Sequence, residues 1–474
     1  AETATKNRIR RLMGLAAVVL AAGQGTRMKS DKPKVLHRAA GRTLLDWALA
    51  AVQVVDPDRV VVVVGHGAGE VAAHVPEKIE SVIQSPQLGT GHATAIALNR
   101  LGAMASEDLV LITYGDMPLV TGDLLRQVLG ASPGVGGVMV STHLEDPSGY
   151  GRVLRNEDGS LARVVEDRDA TPAQRQVSEV NAGLYVFRGD LLGSALSQLA
   201  PDNAQGEYYL PDVVPLLLQQ GQRVEVVVAP AETVLGVNSH DQLAEAEAIL
   251  RRRINRHWQQ EGVWMQDPDR VYIDAAVELA PGVRLFPGVH LQGSCRVESG
   301  AVIGPETFIS DSEVGQDARI WYSVVRAARV GAGAEVGPYA SLRQGTVLKA
   351  AAKAGTFVEM KNTTLGEGAK VPHLSYMGDA TIGARANVGA GSITCNYDGF
   401  DKHHTTIGEE AFIGSDTMLV APVTIGDRAV TGAGSVITHD VAEGALAVER
   451  SVQKDVPGYA ARREQRHHTA ETED

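Results

Sequence analysis

The chain has 474 residues, 44% hydrophobic but only 4% aromatic, with 51 glycines and a formal net charge of −13. That length exceeds what one hydrophobic core serves, so at least two domains are expected, and the acidic balance argues against a general nucleic-acid or membrane-surface binder. No apolar run is long enough to cross a bilayer, and the two cysteines, Cys295 and Cys395, make neither a disulfide framework nor a metal-type pair, so the chain reads as cytoplasmic.

Residues 1–12 are charged, lack the apolar core of a secretory signal and are set aside as a disordered extension, with Met13 as an alternative start. From 13 to 240, continuous apolar runs alternate with amphipathic segments. The runs are 15–21 (LAAVVLA), 59–65 (RVVVVVG), 109–116 (LVLITYGD), 136–142 (GGVMVST), 181–187 (NAGLYVF) and 223–228 (RVEVVV). They predict an α/β domain whose mainly parallel sheet is covered on both faces, with ligands at the carboxyl ends of its strands.

A linker helix is expected over 241–263. Ser239 and Gln242 form a capping box at its start, and Leu243, Leu250, Ile254 and Trp258 share one stripe. From 264 to 455 the period changes to six: Val330, Val336, Leu342, Leu348 and Ala354 fall in phase, and so do Ile407, Ile413, Leu419, Ile425 and Thr431. Hexapeptide periodicity marks a parallel β-helix, in which the aliphatic position stacks inward and the glycine often beside it permits the tight corner. Residues 456–474 are a polar tail, expected to fray.

Chemistry concentrates in strings that this regular pattern does not need. LAAGQGTRM (20–28) follows the first strand. It lacks the third glycine of a dinucleotide fingerprint and the Gly-Lys-Ser/Thr of a P-loop. Arg27 and Lys34 still place two cations beside exposed backbone N–H groups, which suits a polyphosphate. In the β-helix, LRQG (342–345), VEMKNTTLG (358–366), VPHLSYMGDA (371–380) and CNYDG (395–399) cluster polar and charged groups between hexads.

LAAGQGTRM with DKPKVL (31–36), and then QLGTGHA (87–93), YGDMPL (114–119), DPSGYGRV (146–153), VEDRDA (165–170), NAQGEYYLPD (203–212) and LGVNS (235–239), occur in the order found in one family. The chain resembles the bacterial bifunctional N-acetylglucosamine-1-phosphate uridyltransferase/glucosamine-1-phosphate acetyltransferases from about residue 14 to about 455. The resemblance implies a Rossmann-like nucleotidyltransferase domain joined by a long helix to a left-handed parallel β-helix. It also implies a homotrimer with acetyl-transfer sites between subunits, and a product, UDP-N-acetylglucosamine, used for cell-wall precursors.

For the first half, the resemblance places Leu20, Ala21, Ala22, Gly23, Arg27 and Lys34 on the UTP phosphates, with Arg27 and Lys34 catalytic. Gln84, Gly89 and Thr90 then meet the uracil, and Tyr114 and Gly115 line the nucleotide pocket. Gly151, Glu166 and Asn181 hold the sugar, and Asp116 and Asn238 ligate Mg²⁺. The reaction is in-line attack of N-acetylglucosamine 1-phosphate on the α-phosphorus of UTP, releasing pyrophosphate, with no protein nucleophile. Ala182 replaces a common Thr, and little disturbance of the sugar pocket is expected.

For the second half, His373 is the implied general base for the amine of glucosamine 1-phosphate as it attacks acetyl-CoA. Arg343 and Lys361 bind the phosphate, and Tyr376 and Asn387 hold the sugar. Acetyl-CoA contacts come from Ala390, Asn396, Tyr397, Ser415, Ala433 and Arg450. Gln344, Thr356 and Pro372 depart from the family pattern, and Pro372 restrains Val371 just before the base. A monofunctional sugar nucleotidyltransferase whose β-helix is a regulatory or trimerising module, and a non-catalytic assembly protein that keeps a degraded nucleotidyltransferase fold, are the competing readings. The first would not need His373, Lys361 and Arg343 together, and the second would not need Arg27, Lys34, Asp116 and Asn238 intact.

Overall fold

The computed structural model describes residues 14–470, so the 1–12 extension lies outside the described residues. The chain divides into two compact units between Arg256 and His257.

In the first unit the strands are β1 (Leu15–Ala21), a small hairpin β2 (Arg38–Ala39) and β3 (Arg42–Thr43), β4 (Arg59–Val64), β5 (Glu80–Ile83), β6 (Leu109–Tyr114), β7 (Gly137–His143), β8 (Arg152–Arg155), β9 (Leu161–Val165), β10 (Glu179–Arg188) and β11 (Val224–Val228). The main sheet runs β11-β7-β10-β6-β1-β4-β5. Side chains alternate along β1. Ala17, Val19 and Ala21 pack under the helices Leu44–Gln53 and Gly122–Gly130. Ala16, Val18 and Leu20 pack under Thr90–Leu101 and Gly189–Leu196. Burial on both faces is why the run reads as uninterruptedly apolar. β1 is parallel to β4 and to β6, as expected, but β10 is antiparallel to both β6 and β7. The chain leaves β7 through the hairpin β8–β9, and without a helical crossover it returns in the opposite direction.

The helix His240–Gln260 belongs mainly with the first unit. Ala246, Ile249 and Leu250, with Leu243 and Ile254 beside them, pack on Leu44, Leu119 and Val237. Trp258 is not part of that cluster: it falls past the division, its ring 4.9 Å from that of His257. At the start of the helix the Gln242 carboxamide oxygen accepts the N–H of Asn238 at 2.8 Å, one residue before Ser239.

The second unit is a left-handed β-helix of short parallel strands, each paired with the strand three hexads further along: Val271 with Val289, Leu342 with Met360, Met360 with Met377. Val330, Val336, Leu342, Leu348 and Ala354 are all at most 2% exposed, and each buried Val or Leu stabilises the stack by roughly 1.5–3 kcal/mol. The register lengthens between Thr381 and Thr406, where the loop 396–404 is inserted outside the prism.

Of the glycines after these aliphatic positions, Gly337 has the positive φ expected of a corner, at 96°, whereas Gly331 acts differently. Gly331 does not carry the positive φ of its corner; Gly333, two residues on, does, at 63°. Equivalent corners use non-glycines such as Asp317, Ala351 and Arg385. What Gly331 supplies is close approach, since a Cβ there would lie 2.7 Å from the Leu348 carbonyl oxygen of the next coil. Gly331→Ala is therefore expected to destabilise the β-helix by about 2 kcal/mol. Gly333→Ala meets nothing within 4 Å and should cost only the αL strain, about 1 kcal/mol. Calorimetry of the two variants gives the order.

The C-terminal tail is also different from the expectation, since Tyr459–Ala470 is a helix. Its Ala, Arg, Glu and Gln residues are strong helix formers, so it forms although residues 459–466 are exposed. No helix among the described residues is long and apolar enough to cross a membrane.

Candidate active sites

Loops at the carboxyl ends of β1, β4 and β6 wall a cleft of about 1200 Å³. Leu20, Ala21, Ala22 and Gly23 leave β1 along one side of it, and Met28, 1% exposed, anchors the far end of their loop in the core. Gly25, at φ 64°, makes the loop possible twice over. It turns the chain, and its missing Cβ leaves room for Lys34, whose own Cβ would otherwise lie 2.7 Å away. Arg27 and Lys34 are thereby both brought to the cleft wall.

Across the cleft, the helix Thr90–Leu101 starts at Gly89, whose carbonyl accepts from the Gln84 side chain at 2.9 Å. Gln84, Gly89 and Thr90 therefore form one rim. Tyr114 lines the floor, but Gly115 does not. Its Cβ direction points at the Ala21, Leu45 and Val35 side chains at 3.2–3.3 Å, so it keeps the wall closely packed there.

The backbone brings the two candidate metal ligands together. The Val237 N–H donates to the Asp116 carbonyl at 2.9 Å, which sets Asn238 beside the Asp116 side chain. The Lys34 ammonium then donates to Asp116 Oδ2 and, at 2.9 Å, to Asn238 Oδ1. Two hard oxygens thus converge on one cationic centre, a donor set suited to Mg²⁺ with water and phosphate oxygens completing its shell. No group of three or more His, Cys, Asp or Glu side chains suited to a metal occurs among the described residues.

At the other end of the cleft stand Gly151, Glu166 and Asn181. A Cβ on Gly151 would be 3.1 Å from Glu166 Oε1, so glycine keeps space for that carboxylate. Asn181 is held by donating to the Tyr185 hydroxyl at 2.6 Å and accepting from the Gly183 N–H at 3.1 Å. Burial, followed by the neighbouring Asp212, Asp169 and Asp167, pushes the Glu166 carboxyl up to about 7. Burial likewise raises the Tyr114 phenol, with Glu166 and Asp116 adding to the effect.

In the second unit the candidate residues fall into two groups. Glu359 and Tyr376 are paired in register, as are Lys361 and Gly378, which aligns them on one face. Arg343 Nη1 donates to Glu359 Oε1 at 2.8 Å. Lys361 stands against Lys402, a cation that the sequence strings did not single out, and the adjacent positive charges of Lys402 and Arg343 lower the Lys361 ammonium. Asp379 ties this group to Asn396, accepting from the Asn362 carboxamide at 2.7 Å and the Asn396 carboxamide at 2.6 Å. Asp379 lies within the VPHLSYMGDA string without having been given a role, and Lys402 could have been suspected only from its nearness to CNYDG.

The second group is a column down one corner. Ala390, Ser415 and Ala433 occupy equivalent positions in successive coils, joined by Asp416 N–H to Ala390 O at 2.7 Å and Gly434 N–H to Ser415 O at 2.8 Å. Arg450 reaches back to the Ala433 carbonyl at 2.9 Å. Tyr397 is exposed at the base of the 396–404 loop, bridged to Lys402. His373 ends the strand Lys370–His373, opposite Thr356, and is exposed. Pro372 lies within this strand, and Gly355 opposite it must be glycine, since a Cβ there would collide with the Pro372 carbonyl. Asn387 pairs with Lys370 on the same sheet as His373 and not on the Tyr376 face.

Residues 17–253 match the model of the MobA-like NTP transferase domain, and residues 404–439 match the bacterial transferase hexapeptide (six repeats). The chain is 46% identical over 455 residues to the bifunctional protein GlmU of Streptomyces avermitilis, covering 94% of each. It is 47% identical over 450 residues to that of Kineococcus radiotolerans, covering 94% of this chain and 91% of the other. Against that of Caldanaerobacter subterraneus it is 44% identical over 451 residues, covering 95% and 98%.

Proposed function

This chain belongs to the family of bifunctional GlmU proteins, and on that premise we propose how its own residues divide the work. The enzyme is both an acetyltransferase and a uridyltransferase, making UDP-N-acetylglucosamine from glucosamine 1-phosphate, acetyl-CoA and UTP.

In the acetyl transfer, the glucosamine 1-phosphate amine attacks the thioester carbonyl, His373 takes the amine proton, and coenzyme A leaves as the thiolate, which regains a proton. Arg343, Lys361 and Lys402 hold the sugar phosphate, with Tyr376 and Asn387 on the sugar. The small-residue column Ala390, Ser415 and Ala433, with Asn396, Tyr397 and Arg450, receives acetyl-CoA. The observation that carries this site is the juxtaposed Lys361 and Lys402. Two ammonium groups that repel each other are ready for a dianion.

In the uridylyl transfer, a phosphate oxygen of N-acetylglucosamine 1-phosphate attacks the α-phosphorus of UTP and pyrophosphate leaves. Arg27, Lys34 and the loop 20–23 neutralise and align the phosphates. Gln84, Gly89 and Thr90 meet the base, while Gly151, Glu166 and Asn181 orient the sugar. Asp116 and Asn238 would hold Mg²⁺, which when bound would add charge neutralisation at the phosphates.

A homotrimer completes the acetyl site. Tyr322, Tyr339, Phe357 and Leu374 are 41%, 56%, 57% and 62% exposed. The three rings form a ladder along one corner, with centroids 5.7 and 5.4 Å apart. Leu374 follows His373 directly, and burying such a stripe against a neighbouring copy favours association. The enzyme acts in the cytoplasm, where its nucleotide and acyl donors are made.

The test is release of free thiol from acetyl-CoA with glucosamine 1-phosphate present and UTP absent. Release should depend on the sugar phosphate, and Lys402→Ala should raise its KM by roughly tenfold. An unchanged KM removes Lys402 from the site, and no release from the parent enzyme reduces the β-helix to a scaffold.

A further inference from the structure

One cation is buried behind the acidic end of the cleft, and nothing assigned so far uses it. Arg152, 2% exposed, sits on β8 between two pairings, opposite Val165 of β9 and Val180 of β10. Its Nη2 pairs with Asp167 at 3.0 Å, its Nη1 donates to the Tyr150 carbonyl, and Nη2 also reaches the Arg175 carbonyl at 3.4 Å. Its Nε–H is buried with no hydrogen-bond partner. A buried guanidinium with an unsatisfied donor and a partner that is a third exposed is weak evidence for a stabilising role, since an apolar side chain of similar length often serves the fold as well.

The surroundings point to another role. Tyr150 and Gly151, just before Arg152, and Glu166, just before its partner Asp167, all line the cleft. The Gly151 carbonyl in turn receives the Asn181 N–H at 2.8 Å. The guanidinium therefore joins the two strands of the hairpin at the point where both present sugar-facing groups.

We propose that Arg152 is a positioning residue for the sugar phosphate, fixing Tyr150, Gly151 and Glu166 against one another and offsetting the carboxylates that crowd Glu166. This rests on the reading of Gly151, Glu166 and Asn181 as the sugar subsite.

The groups facing Glu166 are Asp212, Asp169 and Asp167, which favour its neutral form, and Arg152, which opposes them. The Tyr114, Tyr185 and Tyr209 phenols also stand close enough to interact with it. With the Glu166 carboxyl near 7, the ionised form that accepts sugar hydroxyl protons is lost as pH falls through neutrality. Removing Arg152 moves that loss to higher pH.

The experiment measures pyrophosphate release for the full-length enzyme and its Arg152→Met and Arg152→Lys variants, varying each substrate in turn across pH. Arg152→Met should raise the KM for N-acetylglucosamine 1-phosphate at least about tenfold with that for UTP nearly unchanged. The acid limb of kcat/KM for the sugar phosphate should shift upward in pH. Arg152→Lys, which keeps the charge but loses the fork, should raise the same KM less and leave the limb in place. An unchanged sugar-phosphate KM in either variant, an unmoved limb in Arg152→Met, or equal losses for UTP and sugar would overturn the inference. If Arg152→Met does not fold, the KM of Arg152→Lys decides alone. Glu166→Gln separates the two levels. If it leaves the sugar-phosphate KM unchanged, the subsite reading itself fails; if it raises that KM while the Arg152 variants do not, only the role of Arg152 fails.

Discussion

Asp116→Ala should abolish pyrophosphate release from UTP and N-acetylglucosamine 1-phosphate, a loss of about 10³-fold or more, while acetyl transfer stays near the parent rate. Asp116 follows β6 at the mouth of the sheet, and its side chain is 16% exposed. It shares the Lys34 ammonium with Asn238 Oδ1, so the substitution removes one of two hard oxygens and also frees Lys34 from the partner that positions it. Both effects act on phosphate charge, which the reaction must neutralise because no protein nucleophile shares the work. Asp116→Asn keeps the shape and removes the charge, so it should be nearly as inactive. Mn²⁺ binding to the free enzyme gives an independent readout and should be lost in both variants. Retained pyrophosphate release would place the metal elsewhere.

His373→Ala should do the reverse, lowering sugar-phosphate-dependent thiol release by about 10²–10⁴-fold and leaving pyrophosphate release intact. His373 lies in the second compact unit and Asp116 in the first. Being exposed at a strand end, His373 contributes little to the core, so its loss should spare folding. The thermal transitions of both units should match the parent's. If both activities fell together, the sites would not be independent.

Much of this architecture is local in origin and was readable from residue order. The hexad period survives because each side of a coil repeats the same contact: Val330, Val336 and Leu342 are buried in turn by the same backbone geometry. The apolar runs of β1, β4 and β6 announce a sheet covered on both faces, since either parity of side chain meets a helix. The glycine-bearing loop that walls the cleft after β1 is likewise visible in a string of nine residues.

What tertiary structure decided is which distant groups meet. Lys34 and Asn238 lie 204 positions apart, yet converge because Gly25 lets Lys34 close on the loop and Val237 bonds to Asp116. The antiparallel course of β10 depends on the hairpin before it, and the pairing of Lys402 with Lys361 depends on a loop inserted outside the hexad register. The role of Gly331 depends on a carbonyl in the next coil. Period and burial are set by near neighbours along the chain, so the sequence alone determines the two architectures. The distances between charged groups are set by how the coils stack and the layers pack, and these only the folded chain specifies.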